Sequence, residues 1–281
     1  MNSTPPTDWS PADAPYAIAV SESQWWKNMV LLTAQRMKEP TRLGFFSSQQ
    51  MDARFLVHAL RQLMTAVALE RWALADLSMD PGVIEALDKA EQRFETSLPG
   101  IKHVRDGLQH FDEWSRGMGK FGPQKKARDK GQLPRDIARE FWGFGYDPAA
   151  ETVRFGPYTI SVPAARDAAR ELCQAIYTAA RAVDARTAME TRTATVAALT
   201  TAQIPYGAPG GPILVSPGND NRVWVSIRLM EENKPERPVL AAKVVATLSA
   251  AGLRLSSSTF PEATDFAERL AHGEALLVTR A

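Results

Sequence analysis

Between Ser47 and Leu77 apolar residues recur at steps of three and four: Phe55, Leu56, Ala59, Leu60, Leu63, Val67 and Trp72. That period matches the roughly 3.6 residues of a helical turn and puts the apolar side chains on one face. Ser47 followed three residues later by Gln50 is a capping-box pattern, so a helix opens there. A run of this length with one greasy face has to lie against several partners, so it is the expected centre of a helical core.

The flanking sequence supplies those partners. Trp25, Trp26, Met29, Leu32 and Met37 point to a helix from about Ser21, with Ser-Glu-Ser-Gln as its caps and Pro40 as its stop. Asp80-Pro81-Gly82 makes a turn. A helix over 82–97 follows, with Val83, Ile84, Leu87, Ala90 and Phe94 on its apolar side, until Pro99-Gly100 breaks it. A fourth helix after Gly100 fades near Gly117, and Pro134 opens a short one to Phe141. The period then shortens: 144–146, 152–155 and 158–162 read as strands of a small hairpin or meander, with Asp147-Pro148 at a turn. Helical spacing returns from Pro163 to about Glu190.

Thr, Ala, Pro and Gly dominate 191–212, which reads as a linker. Strands at 213–216, 222–229, 253–257 and 275–279, with helices at 238–251 and 262–271, then form a small unit. Its His272 reads as a surface residue. The expected organisation is mainly α: a lead-in over 1–20 (rich in proline), a helical bundle over 21–190 with a β insertion at about 143–162, a linker, and a small α+β domain over 213–281.

Composition narrows the function. The net charge is only +1, so attraction for a polyanion has to come from a local patch. The single cysteine, Cys173, excludes an intrachain disulfide and a multi-cysteine metal site, and its helical surroundings read as a buried, inert thiol. The first residues lack the features of a signal peptide, and no stretch is apolar enough for a membrane span, so a cytoplasmic, non-membrane protein is expected. Phosphate-binding, zinc-protease, nucleophile-elbow and dinucleotide motifs are missing.

The patch lies between Arg116 and Arg135. Arg116, Lys120, Lys125, Lys126, Arg128, Lys130 and Arg135 face a single acid, Asp129, in a stretch that reads as a glycine-rich loop. Such a loop suits phosphate contacts that give affinity without reading sequence. Trp114 and Phe121 offer ring faces to bases, although a bundle aromatic more commonly packs in the core. Just before the patch stand Arg105, Asp106 and His110. Histidine titrates near neutrality and serves in either proton role, arginine grips phosphate oxygens, and a carboxylate four residues from the histidine shares its helical face. Arg105 and His110 differ by about 140° around a helix, so one helix does not converge them and a second copy would. In the competing reading Arg105 and Asp106 are surface residues and His110 packs, hydrogen-bonded, within the bundle. His103 reads as a rim residue, Asp112 and Glu113 as carboxylates on a solvated face.

Arg105, Asp106 and His110 together resemble the motif of the HEPN superfamily: arginine, a polar residue, three residues, histidine. These all-helical domains occur in toxin–antitoxin, abortive-infection and RNA-processing systems. The resemblance implies a homodimer whose two motifs share a cleft and cleave RNA with neither metal nor cofactor. Arg105 would bind the scissile phosphate, His110 would handle protons, Asp106 would orient, and an antitoxin or other regulatory protein would be a partner. Other functions left open are a non-catalytic HEPN-like interaction or regulatory module, and a protein that binds a ligand or partner through its C-terminal α+β domain.

Overall fold

A computed structural model describes residues 10–207, 211–218, 221–260 and 262–280. The chain divides into two compact units, Met1–Ala180 and Arg181–Ala281.

The first unit is built on helices. α1 (Pro15–Arg36) is followed by a two-stranded ribbon, β1 (Arg42–Leu43) and β2 (Phe46–Ser47), and by α2 (Ser48–Asp76). Then come α3 (Pro81–Ser97), α4 (Ile101–Gln109), α5 (Phe111–Trp114), α6 (Gly122–Asp129) and α7 (Pro134–Phe141). β3 (Phe144–Asp147), β4 (Thr152–Phe155) and β5 (Tyr158–Ser161) form an antiparallel meander, in which Phe144 pairs with Phe155 and Phe155 with Tyr158. α8 (Val162–Thr201) contributes its first part to this unit and its remainder to the second.

α2 is central, as its periodicity implies: it packs on α1, α3, α4 and β3. Ser47 caps it, its Oγ accepting the N–H of Gln49 at 3.3 Å. Its buried stripe consists of Leu56, Leu60, Leu63, Val67 and Leu74, with alanines between them. Phe55 and Trp72, expected in that stripe, lie at its edges and are 55% and 66% exposed, because the alanines at 53, 59, 66 and 73 fill the contact with neighbouring helices. α1 starts six residues earlier than its serines suggest. Pro15 occupies the first turn, where a missing N–H costs nothing, and Ser21–Gln24 lie inside the helix. Ser23 is buried there, its Oγ donating to the Val20 carbonyl and lying 3.5 Å from the Cys173 Sγ. The lead-in reading is thereby corrected from Ser10 onward, where a capped 3-10 turn precedes α1; residues 1–9 lie outside the described residues.

Two further expectations change. The fourth helix does not run to Gly117 but ends at Gln109, and His110 (φ −109°, ψ 44°) joins α4 to α5. Its N–H donates to the Asp106 carbonyl, while its own carbonyl accepts from Glu113 and Trp114, so one residue closes a helix and opens the next. The basic stretch is not a loop throughout: Pro123 starts α6, a Lys125–Asp129 pair one turn apart supports it, and Gly131 at φ +84° ends it.

In the second unit β6 (Ile213–Val215), β7 (Val223–Ile227), β8 (Leu253–Ser257) and β9 (Leu276–Arg280) form one antiparallel sheet in the order β6-β7-β9-β8. α9 (Arg237–Ala250) and α10 (Phe266–Ala271) complete it. Alternating Val223, Val225 and Ile227 meet Ala241, Val244 and Leu248 of α9 in its core, so the unit is the small α+β fold that the pattern implies. The linker over 191–212 is shorter than expected because α8 continues to Thr201. Ala188, Leu199 and the partly buried Ala194 and Ala198 recur at helical spacing against this core, and Thr193, Thr195 and Thr200 donate their hydroxyls to carbonyls one turn back. Among the described residues, no helix is long and apolar enough to cross a membrane.

Candidate functional site

α4 carries side chains into two cavities, and consecutive residues of the sequence motif part company there. The smaller cavity, about 260 Å³, is lined by His103, Asp106, His110, Glu113, Lys120 and Phe121, with Trp114 behind them. His103, Asp106, His110 and Glu113 are spaced by three, four and three residues, the repeat of one helical face, and the joint at His110 preserves that line across the α4–α5 break. Arg105 instead lines a cavity of about 490 Å³ toward α2, with Arg54, His58 and Arg61. The Asp106 carboxylate stands 2.9 Å from the buried Arg105 Nε, an ion pair without hydrogen-bond geometry.

His110 is exposed, which removes the reading of a histidine packed in the bundle. His103 is half-buried with its ring 5.1 Å from that of Tyr158. Burial pulls the proton affinity of His103 below its ordinary value; Asp106 opposes this, while Lys126 and Lys102 add to it. Burial thus favours the neutral, proton-accepting form of His103. Glu113 is held below the usual carboxylate range, first by the hydrogen bond from Lys120, whose Nζ lies 2.7 Å from Oε1. The cavity thus holds two imidazoles, an ion pair and the exposed ring of Phe121. Its carboxylates and imidazoles do not converge as metal ligands; among the described residues no three His, Cys, Asp or Glu side chains do.

Buried contacts fix the walls. A Cβ on Gly107 would lie 2.2 Å from the Phe155 ring, so only glycine lets α4 approach β4 this closely. The same Phe155 ring lies 5.7 Å from Trp114, which is buried although it was a stacking candidate. Gln124, wholly buried, accepts the Gly119 N–H and donates to the Trp114 carbonyl, tying α6 to α5.

The basic residues divide by role. Arg128 donates to the carbonyls of Gly117 and Gly119, both at 2.7 Å, and so clamps the turn before α6 instead of offering a free cation. Arg116 donates to the Asp112 carbonyl, Lys120 pairs with Glu113 and Lys125 with Asp129. Lys126, Lys130 and Arg135 are exposed and unpaired among the described residues. The sequence gives His103 only a rim role and Glu113 only a place on a solvated face, and Arg54, His58 and Arg61 do not stand out in it. The signal is present as spacing: 103, 106, 110 and 113 form one stripe, and 54, 58 and 61 form another on α2. No family model, curated protein or solved structure matches this chain.

Proposed function

We propose that the cavity between α4, α5 and the start of α6 cleaves RNA without metal, as a HEPN-like endoribonuclease of a bacterial defence or toxin-type system. The observation that carries this reading is the pairing of His103 with His110 on one cavity, one imidazole half-buried and the other exposed. In the proposed reaction the 2′-oxygen attacks phosphorus while His103 takes its proton. The bond from phosphorus to the 5′-oxygen breaks, and His110 gives that oxygen a proton. The products are a 2′,3′-cyclic phosphate and a 5′-hydroxyl. Lys120, fixed by Glu113, is the cation nearest this chemistry, and Asp106 favours the protonated form of His103 once it has taken the proton. Phe121, 80% exposed at the rim, offers a face to a base, and Lys126, Lys130 and Arg135 offer charge to the strand.

Both proton-transfer groups belong to one chain in this scheme, so Arg105 is freed from the role of phosphate ligand at the cut. The test is cleavage of single-stranded RNA by the full chain in EDTA. His110→Ala and His103→Ala are each expected to lower the rate about 100-fold or more. Undiminished cleavage by the His110→Ala protein, or a wild-type protein that cuts no RNA, would sink the reading.

A further inference from the structure

The larger cavity has the makings of a second anion site. On α2, Arg54, His58 and Arg61 follow one another at four and three residues and face α4, which adds Arg105 and Gln109 around about 490 Å³. That volume falls within the roughly 300–1,000 Å³ of small-ligand sites. Among the described residues no acidic side chain lines it, although Asp106 pairs with Arg105 beside it. Each cation is held in place: Arg54 lies over the Phe144 ring at 4.8 Å, Arg61 donates to Thr65 Oγ1 at 3.1 Å, and Arg105 Nε rests against Asp106. His58 meets the Trp26 ring edge-on, and Gln62 Nε2 lies 3.4 Å from its Nε2. Arg61 feels both burial and the like charge of Arg105, each of which weakens its hold on its proton, with Asp106 opposing. Asp106 offsets part of the repulsion between Arg105 and Arg61, and a further anion in the cavity would offset the rest.

We infer that this cavity is a phosphate subsite for a nucleic-acid strand, taking a phosphate neighbouring the one cut in the smaller cavity. The ligand class rests on the cleavage reading; the site itself rests on the arginines. Three guanidiniums suit a phosphate because their planar donors pair with its oxygens. Arg105 and Asp106, adjacent in sequence and facing different cavities, place the two sites on either side of α4, so a strand crossing that helix meets both.

The test is anisotropy of a short labelled oligoribonucleotide bound to the full chain carrying His110→Ala, which keeps the strand intact, across a range of KCl. Adding Arg54→Gln and Arg61→Gln is expected to weaken binding about ten-fold or more. The slope of log affinity against log salt should fall by about 0.7 for each phosphate released. Arg54→Gln alone, at an exposed position, should give part of that loss and carries the test if the paired substitutions disturb folding as judged by circular dichroism. Unchanged affinity and slope in a folded variant overturn the subsite. Displacement of the strand by inorganic phosphate or a mononucleotide at equal phosphate concentration overturns a strand site in favour of free phosphate. If the arginine variants lose the strand but His110→Ala in the otherwise native chain still cleaves, the cleavage reading fails and the subsite stands. Cleavage that needs His110, with strand binding untouched by the arginine changes, ends the subsite alone.

Discussion

Two histidines seven residues apart experience different surroundings, and in the proposed reaction that difference decides which is base and which is acid. His103 lies beside Tyr158, Asp106, Lys102 and Lys126, and burial lowers its proton affinity, whereas His110 stands in solvent at a helix joint. A base must be deprotonated to act, so the rate should rise with pH through the His103 titration. The acid limb of kcat/KM is then expected below about 6.5, the ordinary imidazole value. Lys126→Gln removes a charge that disfavours imidazolium, so it should move that limb to higher pH; a limb that stays in place, or moves down, contradicts the assignment of His103 as base. At this scale the sequence was legible in part. Arg105, Asp106 and His110 stand out because their types suit phosphate chemistry. What adjacency in sequence could not convey is direction: neighbours on a helix point about 100° apart, so Arg105 and Asp106 enter different cavities.

Among the elements, α4 is the hinge of the account because its placement decides where both cavities open. Gly107 sets how near it comes to β4. Gly107→Ala should therefore destabilise the fold by about 2 kcal/mol through overpacking against Phe155, read as a lower urea midpoint, even though alanine is the better helix former. A midpoint equal to wild type would show that α4 is not held in this way. Long periodic elements such as α2, α3 and the meander are legible because burial repeats along them. The break at His110 is not, since it depends on Trp114 reaching Phe155 and the backbone groups of one residue serving two helices. α6 was hidden for a similar reason: its glycines and lysines read as a loop, while its anchor is a single buried Gln124. α8 outruns its expected end because threonines that favour irregular backbone are tolerated once their hydroxyls return to the helix and the face beneath them is buried.

For the whole molecule, the proposed dimer draws on an apolar face of α1 that is exposed among the described residues. Trp25, Met29 and Leu32, at four and three residues on α1, are 71%, 37% and 49% exposed. An apolar helical stripe of this kind favours a second copy. The homodimer implied by the family resemblance is thus retained as part of the proposal, although the paired histidines no longer require it for proton transfer. Sedimentation should give twice the 30.9 kDa chain mass, and Met29→Glu with Leu32→Glu should return it to a monomer; a wild-type monomer refutes the dimer but leaves the cavity chemistry intact. The two-unit organisation is legible from the Thr-, Ala-, Pro- and Gly-rich stretch at 191–212, while the division itself falls earlier, at Ala180–Arg181 within α8.

The central claim is that His103 and His110 exchange protons with a ribose hydroxyl and a leaving 5′-oxygen. It is tested most directly by mapping the ends of RNA cut by the full chain in EDTA, beside the same strand with a single 2′-deoxyribose at the cut position. The account predicts 2′,3′-cyclic phosphate and 5′-hydroxyl ends, no cut at the deoxyribose, and loss of both products in His110→Ala. A 5′-phosphate product, or cleavage at the deoxyribose, would contradict it.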